Sequence, residues 1–344
     1  MLNLRKFMER INTGEKHPPS VRYDEPMSKH TTFKVGGKAD VWVRPLKSIF
    51  PSYVEKLLKA AKEEEIPVFI LGGGANIVVS DRGIRGIVLD TGAFRGIGKK
   101  EARKISEEET PGDFEADRTQ RDKSLFSVLV NCGTSMDELS SCLADRNLSG
   151  LEFLAGMPGS IGGAVWMNAR CYEKSISDVL LETEILDENF TRQMIPFRPE
   201  DFSYKKSPFQ SRDVLILKAR FAVEIRESQD IQKDIISYRQ DRDNKGHYRF
   251  PSAGSAFKNN QAFGDPTGKI IDRLGLRGFS VGGAQVAPWH GNIIINTGNA
   301  TASDIRVLVD EIVRQVKKEH GFELENEILF VGDWEEYIPI LPWQ

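Results

Sequence analysis

With 344 residues, of which 40% are hydrophobic and 28% charged, and a formal net charge of −3, the chain has material for two or three domains at the usual ~100–200 residues each. It lacks the basic excess that would point to nucleic acid. Its three cysteines, Cys132, Cys142 and Cys171, and its five histidines are scattered, which fits a reducing compartment and argues against a disulfide framework or a metal site.

The chain opens on charged and polar residues without an apolar signal core, and no run of ~18 apolar residues follows, so a cytoplasmic protein with no membrane segment is expected. Residues 1 to 20 form a poorly specified lead-in. Residues 31–43 are rich in strand formers but broken by Gly36 and Gly37, the pattern of a hairpin or bulge. Val54, Leu57, Leu58 and Ala61 keep helical spacing over residues 48–65. Strands are predicted over 67–70 and 77–79, with the glycine loop Gly72-Gly73-Gly74-Ala75-Asn76 between them. Residues 1–90 therefore make a first α/β unit.

Residues 98–124 are dominated by charge and are expected to be an exposed insertion in a second unit, residues 91–224. A strand over 125–130 leads to a short helix with Met136, Leu139 and Leu143 on one face and Ser135 and Glu138 as start signals. The stretch 150–172 follows, an apolar run interrupted by Gly150, Gly156, Gly159, Gly162, Gly163 and Pro158. Glycines in such density serve a turn between buried elements or a close backbone approach to a large ligand. Together with the Gly72–Gly74 loop, they suggest one long ligand held at two places. Strands over 179–186 and 214–223 close the unit, the second with Leu215, Leu217, Ala219, Phe221 and Val223 alternating with polar residues.

The third unit, residues 225–332, opens with a polar helix and a basic run containing Arg239, Arg242, Lys245, His247 and Arg249. Such a run is a solvated face or a contact for a diphosphate. A short helix over 266–274 stops at Gly275, a strand is predicted over 292–296, and Thr301 and Asp304 stand in capping-box spacing ahead of the stripe Ile305, Leu308, Ile312 and Val316. A carboxylate-bearing strand covers 322–332, and residues 333–344 form a tail.

The Gly72–Gly74 loop offers several unobstructed backbone N–H groups, suited to phosphate oxygens. It is not a P-loop, since no Gly-Lys-Ser/Thr follows, and Ile77 stands where a Rossmann fingerprint needs its third glycine.

Seven segments, taken together and in order, are more specific. They are Thr31-Thr32-Phe33, residues 71–76, residues 156–164, Met167-Asn168-Ala169, Gly254-Ser255-Ala256-Phe257-Lys258-Asn259, Gly282-Gly283-Ala284-Gln285-Val286 and Leu324-Glu325-Asn326-Glu327. In order and approximate spacing the chain resembles the UDP-N-acetylenolpyruvoylglucosamine reductase (UDP-N-acetylmuramate dehydrogenase) family over residues 25–332, in the form of its shorter subtype. The resemblance implies an α+β fold, with an FAD-binding part of the vanillyl-alcohol oxidase (PCMH) type in two α/β subdomains and a C-terminal α+β substrate-binding domain. It also implies non-covalent FAD, NADPH as hydride donor, and a UDP-sugar substrate reduced for peptidoglycan precursor synthesis. Gly72, Gly73, Gly74, Ala75 and Asn76 would hold the pyrophosphate, and Gly156, Ser160, Ile161 and Gly163 would line the flavin. Ser255 matches the proton donor, Glu327 the active-site carboxylate, and Tyr204, Lys258, Asn259 and Gln285 lie at substrate-binding positions.

Two departures stand out. The family's Tyr-Arg-x-Ser is Tyr204-Lys205-Lys206-Ser207 here, which keeps the charge but loses the forked donor. Its Asn-Ala-Gly is Asn168-Ala169-Arg170, so Arg170 is a candidate to compensate for Lys205. Two alternatives remain open: a related flavin oxidase of another alcohol or sugar, and a catalytically silent flavin or nucleotide-sugar binding protein.

Overall fold

The computed structural model describes residues 2–102 and 126–334. The expected insertion lies outside them beyond Ala102, as does the tail beyond Trp334. The expected lead-in is instead helix α1 (Leu2–Asn12) followed by strand β1 (Ser20–Pro26). Phe7, Met8 and Ile11 recur at helical spacing and are buried in the main core; each such side chain contributes about 1.5–3 kcal/mol. That outweighs a first turn without an acidic residue.

β1 pairs antiparallel with β2 (Lys38–Arg44), so the glycines at 36 and 37 form the entry to β2 rather than the tip of a hairpin within residues 31–43. Helix α2 (Phe50–Glu63) buries Val54, Leu57, Leu58 and Ala61 and leads to β3 (Val68–Leu71). β4 (Ile77–Val79) and β5 (Ile84–Asp90) follow. The first sheet has the order β1-β2-β5-β3, with β5 parallel to both its neighbours.

The second sheet begins with β6 (Glu101–Ala102) and β7 (Phe126–Asn131). Helix α3 (Met136–Ala144) starts where Ser135 Oγ accepts the Glu138 N–H. β8 (Leu148–Ser149), helix α4 (Ile161–Met167) and the hairpin of β9 (Arg170–Cys171) and β10 (Lys174–Ser175) come next. β11 (Leu180–Leu186), β12 (Arg192–Pro196) and β13 (Leu215–Ile225) complete the order β12-β11-β13-β7-β6, with β8 on β13. One apolar cluster joins Val41, Phe50 and Leu89 below the first sheet to Val130, Leu139 and Phe221 below the second. The two sheets thus lie over a shared core.

Helix α5 (Ser228–Asn244) turns Ile231 and Ile235 onto Ala144 and Ala155. It therefore packs with the elements of the second sheet, although it follows the boundary expected at residue 225. Its surface is otherwise polar, so the sequence shows too few apolar residues to say which neighbour it covers.

The remaining elements are α6 (Thr267–Arg273), β14 (Ser280–Val281), β15 (Ala284–Val286), β16 (Ile294–Asn296), α7 (Ala302–His320) and β17 (Leu329–Val331). The Thr301–Asp304 capping box is formed, and Ile305, Leu308, Ile312 and Val316 are buried. β17 then returns to the front of the molecule and pairs in parallel with β4, Leu329 opposite Ile77 and Val331 opposite Val79. Phe33, Val35 and Val78 share a core with Ile270, Leu308 and Phe330, so the third unit is fastened to the glycine loop that precedes β4.

Candidate active site

The Gly72–Asn76 loop connects β3 to β4. The backbone N–H groups of Gly72 to Asn76 find no acceptor among the described residues, although the loop's carbonyls are used: Gly74 O accepts from Thr32 N at 3.0 Å and Asn76 O from Leu329 N at 2.9 Å. Five successive free donors at a partly exposed loop need an oxygen-rich partner or water. The glycines are required sterically. At Gly74 the backbone has φ +62° and a Cβ would lie 2.0 Å from the His30 carbonyl; at Gly73 it would lie 2.5 Å from Gly159 Cα, and at Gly72 2.5 Å from Ser160 Oγ.

Those last two contacts show that the two glycine stretches meet. Ser160 caps α4, its Oγ accepting from Gly163 N, and Ile161 is fully buried at the helix start. Gly156, at φ +72°, donates its N–H to Asp137 Oδ1 at 2.6 Å, and its carbonyl accepts from Tyr248 Oη at 2.8 Å and Arg242 Nε at 3.2 Å. Arg239 holds Asp137 at 2.7 Å. Much of the basic run is therefore spent behind the Gly156 turn. His247 lies in the same segment, and burial, then Arg242, His290 and Lys245, push its imidazole down to about 4. The free donors of one stretch and the close-packed second stretch fit the pyrophosphate and ring system of FAD.

Beyond this cradle lies a charged corner. Lys205 Nζ is 2.6 Å from Glu327 Oε1, and the two side chains are only 11% and 12% exposed. Glu327 is held by its own backbone: its N–H donates to Ala256 O at 2.8 Å and its carbonyl accepts from Asn76 Nδ2 at 3.0 Å. The Asn76 side chain thus ties the glycine loop to the segment that leads into β17. Ser255 precedes Ala256 and forms a bridge with Ile293, so the hydroxyl-bearing turn and Glu327 lie on adjacent backbone segments.

Lys205 sits in a tight turn. Ser203 and Lys206 exchange backbone hydrogen bonds, and Lys205 itself has φ +58°. Tyr204 Oη accepts from Asn259 N at 3.4 Å, which brings this turn against the third unit. Arg170 is exposed on the β9–β10 hairpin, so the ammonium placed at Glu327 comes from Lys205.

The other expected substrate contacts have structural partners. Lys258 Nζ lies 2.5 Å from Glu325 Oε1. Asn259 Oδ1 accepts from Thr267 N at the start of α6. Gln285 donates to Gly278 O and Ser280 Oγ across the β14–β15 hairpin, a brace that does not connect it to Ser255 or Glu327. Asn292 went unnoticed in the sequence. Buried at 3% exposure, it accepts from Phe257 N and donates to Phe257 O, pinning the turn that carries Ser255. Its only signal is an amide directly before the apolar run Ile293-Ile294-Ile295. Among the described residues no group of three or more His, Cys, Asp or Glu side chains could hold a metal, and no helix is long and apolar enough to cross a membrane.

Comparison with known proteins identifies the family. The family model for the C-terminal domain of UDP-N-acetylenolpyruvoylglucosamine reductase matches residues 246–331, which begin just after α5. The chain is 38% identical over 331 residues to the UDP-N-acetylenolpyruvoylglucosamine reductase of Borreliella burgdorferi, covering 96% of this chain and 98% of that protein. It is 38% identical over 335 residues to that of Treponema denticola, covering 94% and 97%. The crystal structure of the Thermus caldophilus reductase superimposes with a TM-score of 0.66 at 28% identity, covering 91% of this chain and 98% of that one. Sequence, fold and the joined glycine stretches lead to one conclusion: the chain belongs to the UDP-N-acetylenolpyruvoylglucosamine reductase family.

Proposed function

We propose that this chain reduces the enolpyruvyl ether of UDP-N-acetylglucosamine-enolpyruvate to the lactyl ether of UDP-N-acetylmuramate, with the Lys205–Glu327 corner as the site of charge control. Enzymes of the family are FAD-dependent oxidoreductases. When bound, FAD would supply the hydride, taken from NADPH, that the terminal CH2 carbon of the substrate accepts. The five N–H groups of residues 72–76 would hold its pyrophosphate, and the 156–163 segment, including Ser160, Ile161 and Gly163, would wall its ring.

Once the CH2 carbon has become CH3, the adjacent carbon carries a negative charge delocalised into the carboxylate. The ammonium of Lys205 steadies that charge, and Glu327 keeps the ammonium in place through its 2.6 Å contact. Ser255 gives its proton to the carbanionic carbon and recovers one from water. Tyr204, Lys258 and Asn259 border the approach of the sugar nucleotide, and Gln285 acts through the hairpin it braces. NADPH and substrate use the same face in turn, so excess substrate inhibits.

The observation that carries this reading is the attachment of Glu327 to Asn76, which sets the nearly enclosed Lys205–Glu327 pair beside the donor loop. The test is anaerobic. NADPH added to the purified yellow protein bleaches the flavin, and UDP-N-acetylglucosamine-enolpyruvate then restores the colour in proportion to product. Bleaching without recovery on substrate addition, or a protein that cannot be loaded with FAD, overturns it.

A further inference from the structure

Asn168 has a place in the molecule that the reaction as described leaves unused. It ends α4 in the left-handed region, at φ +46° and ψ +57°, and is 2% exposed. Asparagine and glycine are the residues that take this conformation most readily. Its side chain spends both ends of the amide. Nδ2 donates to Ser203 O at 3.0 Å, and Oδ1 accepts from Ser177 N at 3.0 Å. Ser203 O also accepts from Lys206 N at 3.0 Å, so the Asn168 amide bonds to the oxygen that closes the turn holding Lys205.

Two further bonds support the same turn. Ser207 Oγ donates to Trp166 O on α4 at 2.6 Å, and Gln210 Nε2 donates to Lys205 O at 3.1 Å. α4 therefore works as a strut about 10 Å long, at 1.5 Å per residue. Ser160 at one end touches the glycine loop, and Asn168 at the other holds the Lys205 turn. A guanidinium gripped through two parallel bonds sets its own direction, whereas an ammonium on a flexible four-carbon stem does not. With Lys at position 205, the direction of the charge has to come from the backbone beneath it.

We propose that Asn168 is a positioning residue for the reaction, acting through Lys205 by fixing the 203–206 turn in register with the flavin-side helix. This rests on the reading of the Lys205–Glu327 pair given above. Glycine at 168 keeps the backbone angles and removes both amide bonds. Aspartate keeps the angles and the bond from Ser177 but sets an oxygen against the Ser203 carbonyl.

The experiment compares N168G, N168D, K205A and the double variant N168G/K205A in the FAD-loaded enzyme. N168G and N168D should each lower kcat by ~10- to 100-fold, the scale of an ångström's misplacement, with flavin content unchanged and the KM for NADPH within about twofold. In the K205A background, N168G should lower kcat by no more than about twofold, because the group it positions is already gone. Equal factors in the two backgrounds, or wild-type turnover in a folded N168D, overturn the role of Asn168 while leaving the pair's role standing. Loss of flavin in both N168G and N168D assigns the residue to folding alone and also overturns it. Wild-type turnover in K205A overturns the reading of the pair, and this proposal with it.

Discussion

The Gly72–Asn76 loop and the Lys205–Glu327 corner are neighbours joined through Asn76, yet they achieve their positions by different means. The loop is built from backbone: its donors are peptide N–H groups, and its shape is held by close contacts that leave no room for a Cβ. The corner is built from side chains delivered by separate stretches of chain, Lys205 from its turn and Glu327 from the segment before β17, with the backbone of the Ser255 turn bonded alongside. A backbone device tolerates no added atom but does not depend on charge. A side-chain device can exchange one cation for another if the scaffold beneath it supplies the direction lost. That difference fits the glycines at 72, 73 and 74 in the first and Lys205, where the family resemblance implies an arginine, in the second.

The largest expected effect tests the corner. Lys205→Ala leaves the Glu327 carboxylate nearly enclosed without its cation, and kcat should fall by ~10²–10³, the loss typical of removing one aligned charge stabiliser. The visible flavin spectrum should stay that of the wild type. A large loss of flavin instead would show that the corner supports the cradle and would erase the distinction between them.

Gly74→Ala tests the loop. The new methyl would lie 2.0 Å from the His30 carbonyl at a backbone φ of +62°, and an L side chain there carries a penalty of roughly 1–2 kcal/mol before any clash. FAD affinity, followed by flavin fluorescence on dilution, should fall by at least ~10-fold. The Lys205–Glu327 chemistry should survive in whatever fraction of the enzyme is reconstituted with excess FAD. Lys205→Arg sharpens the same contrast with a smaller effect. The guanidinium restores the fork, and kcat should stay within about threefold.

How much of this could be read from the chain depends on how local the physics is. The capping box at Thr301 and Asp304, the helical stripe of α2 and the alternation in β13 are local, and they appear where expected. Helix α1 was legible in the spacing of Phe7, Met8 and Ile11, but its polar neighbours and its weak first turn hid it. The parallel pairing of β17 with β4 joins residues some 250 positions apart, and no local pattern announces it. The chemistry of the site is similar. Residue types at 205, 255 and 327 follow from motif order, whereas the partners do not: Lys258 turns to Glu325, Asn259 to the start of α6, and part of the basic run to the back of the Gly156 turn. Which cation meets which carboxylate is decided by packing, and packing is what the motifs leave out.

The smallest expected effect concerns that backing. The Gly156 turn is itself a backbone device, but Arg242, Tyr248 and the Arg239–Asp137 pair support it from behind, and His247 is half-buried among them. Burial first, then Arg242, His290 and Lys245, lower its imidazole to about 4 from an ordinary 6.5. A group whose folded-state value is depressed contributes stability that is complete above its unfolded value. The unfolded chain takes up a proton below pH 6.5 that the folded chain refuses, so stability drains as the pH falls toward 4. His290 is shifted in the same direction, and its share of the slope remains when His247 is replaced. His247→Asn should therefore reduce, without abolishing, the drop in Tm between pH 7 and pH 4.5, by a few degrees at ~2–4 °C for each kcal/mol. The flavin of the wild type should be released over the same interval and that of the variant at lower pH. Identical slopes for the two proteins would mean that the imidazole is solvated and that the turn keeps its shape without help from the segment behind it.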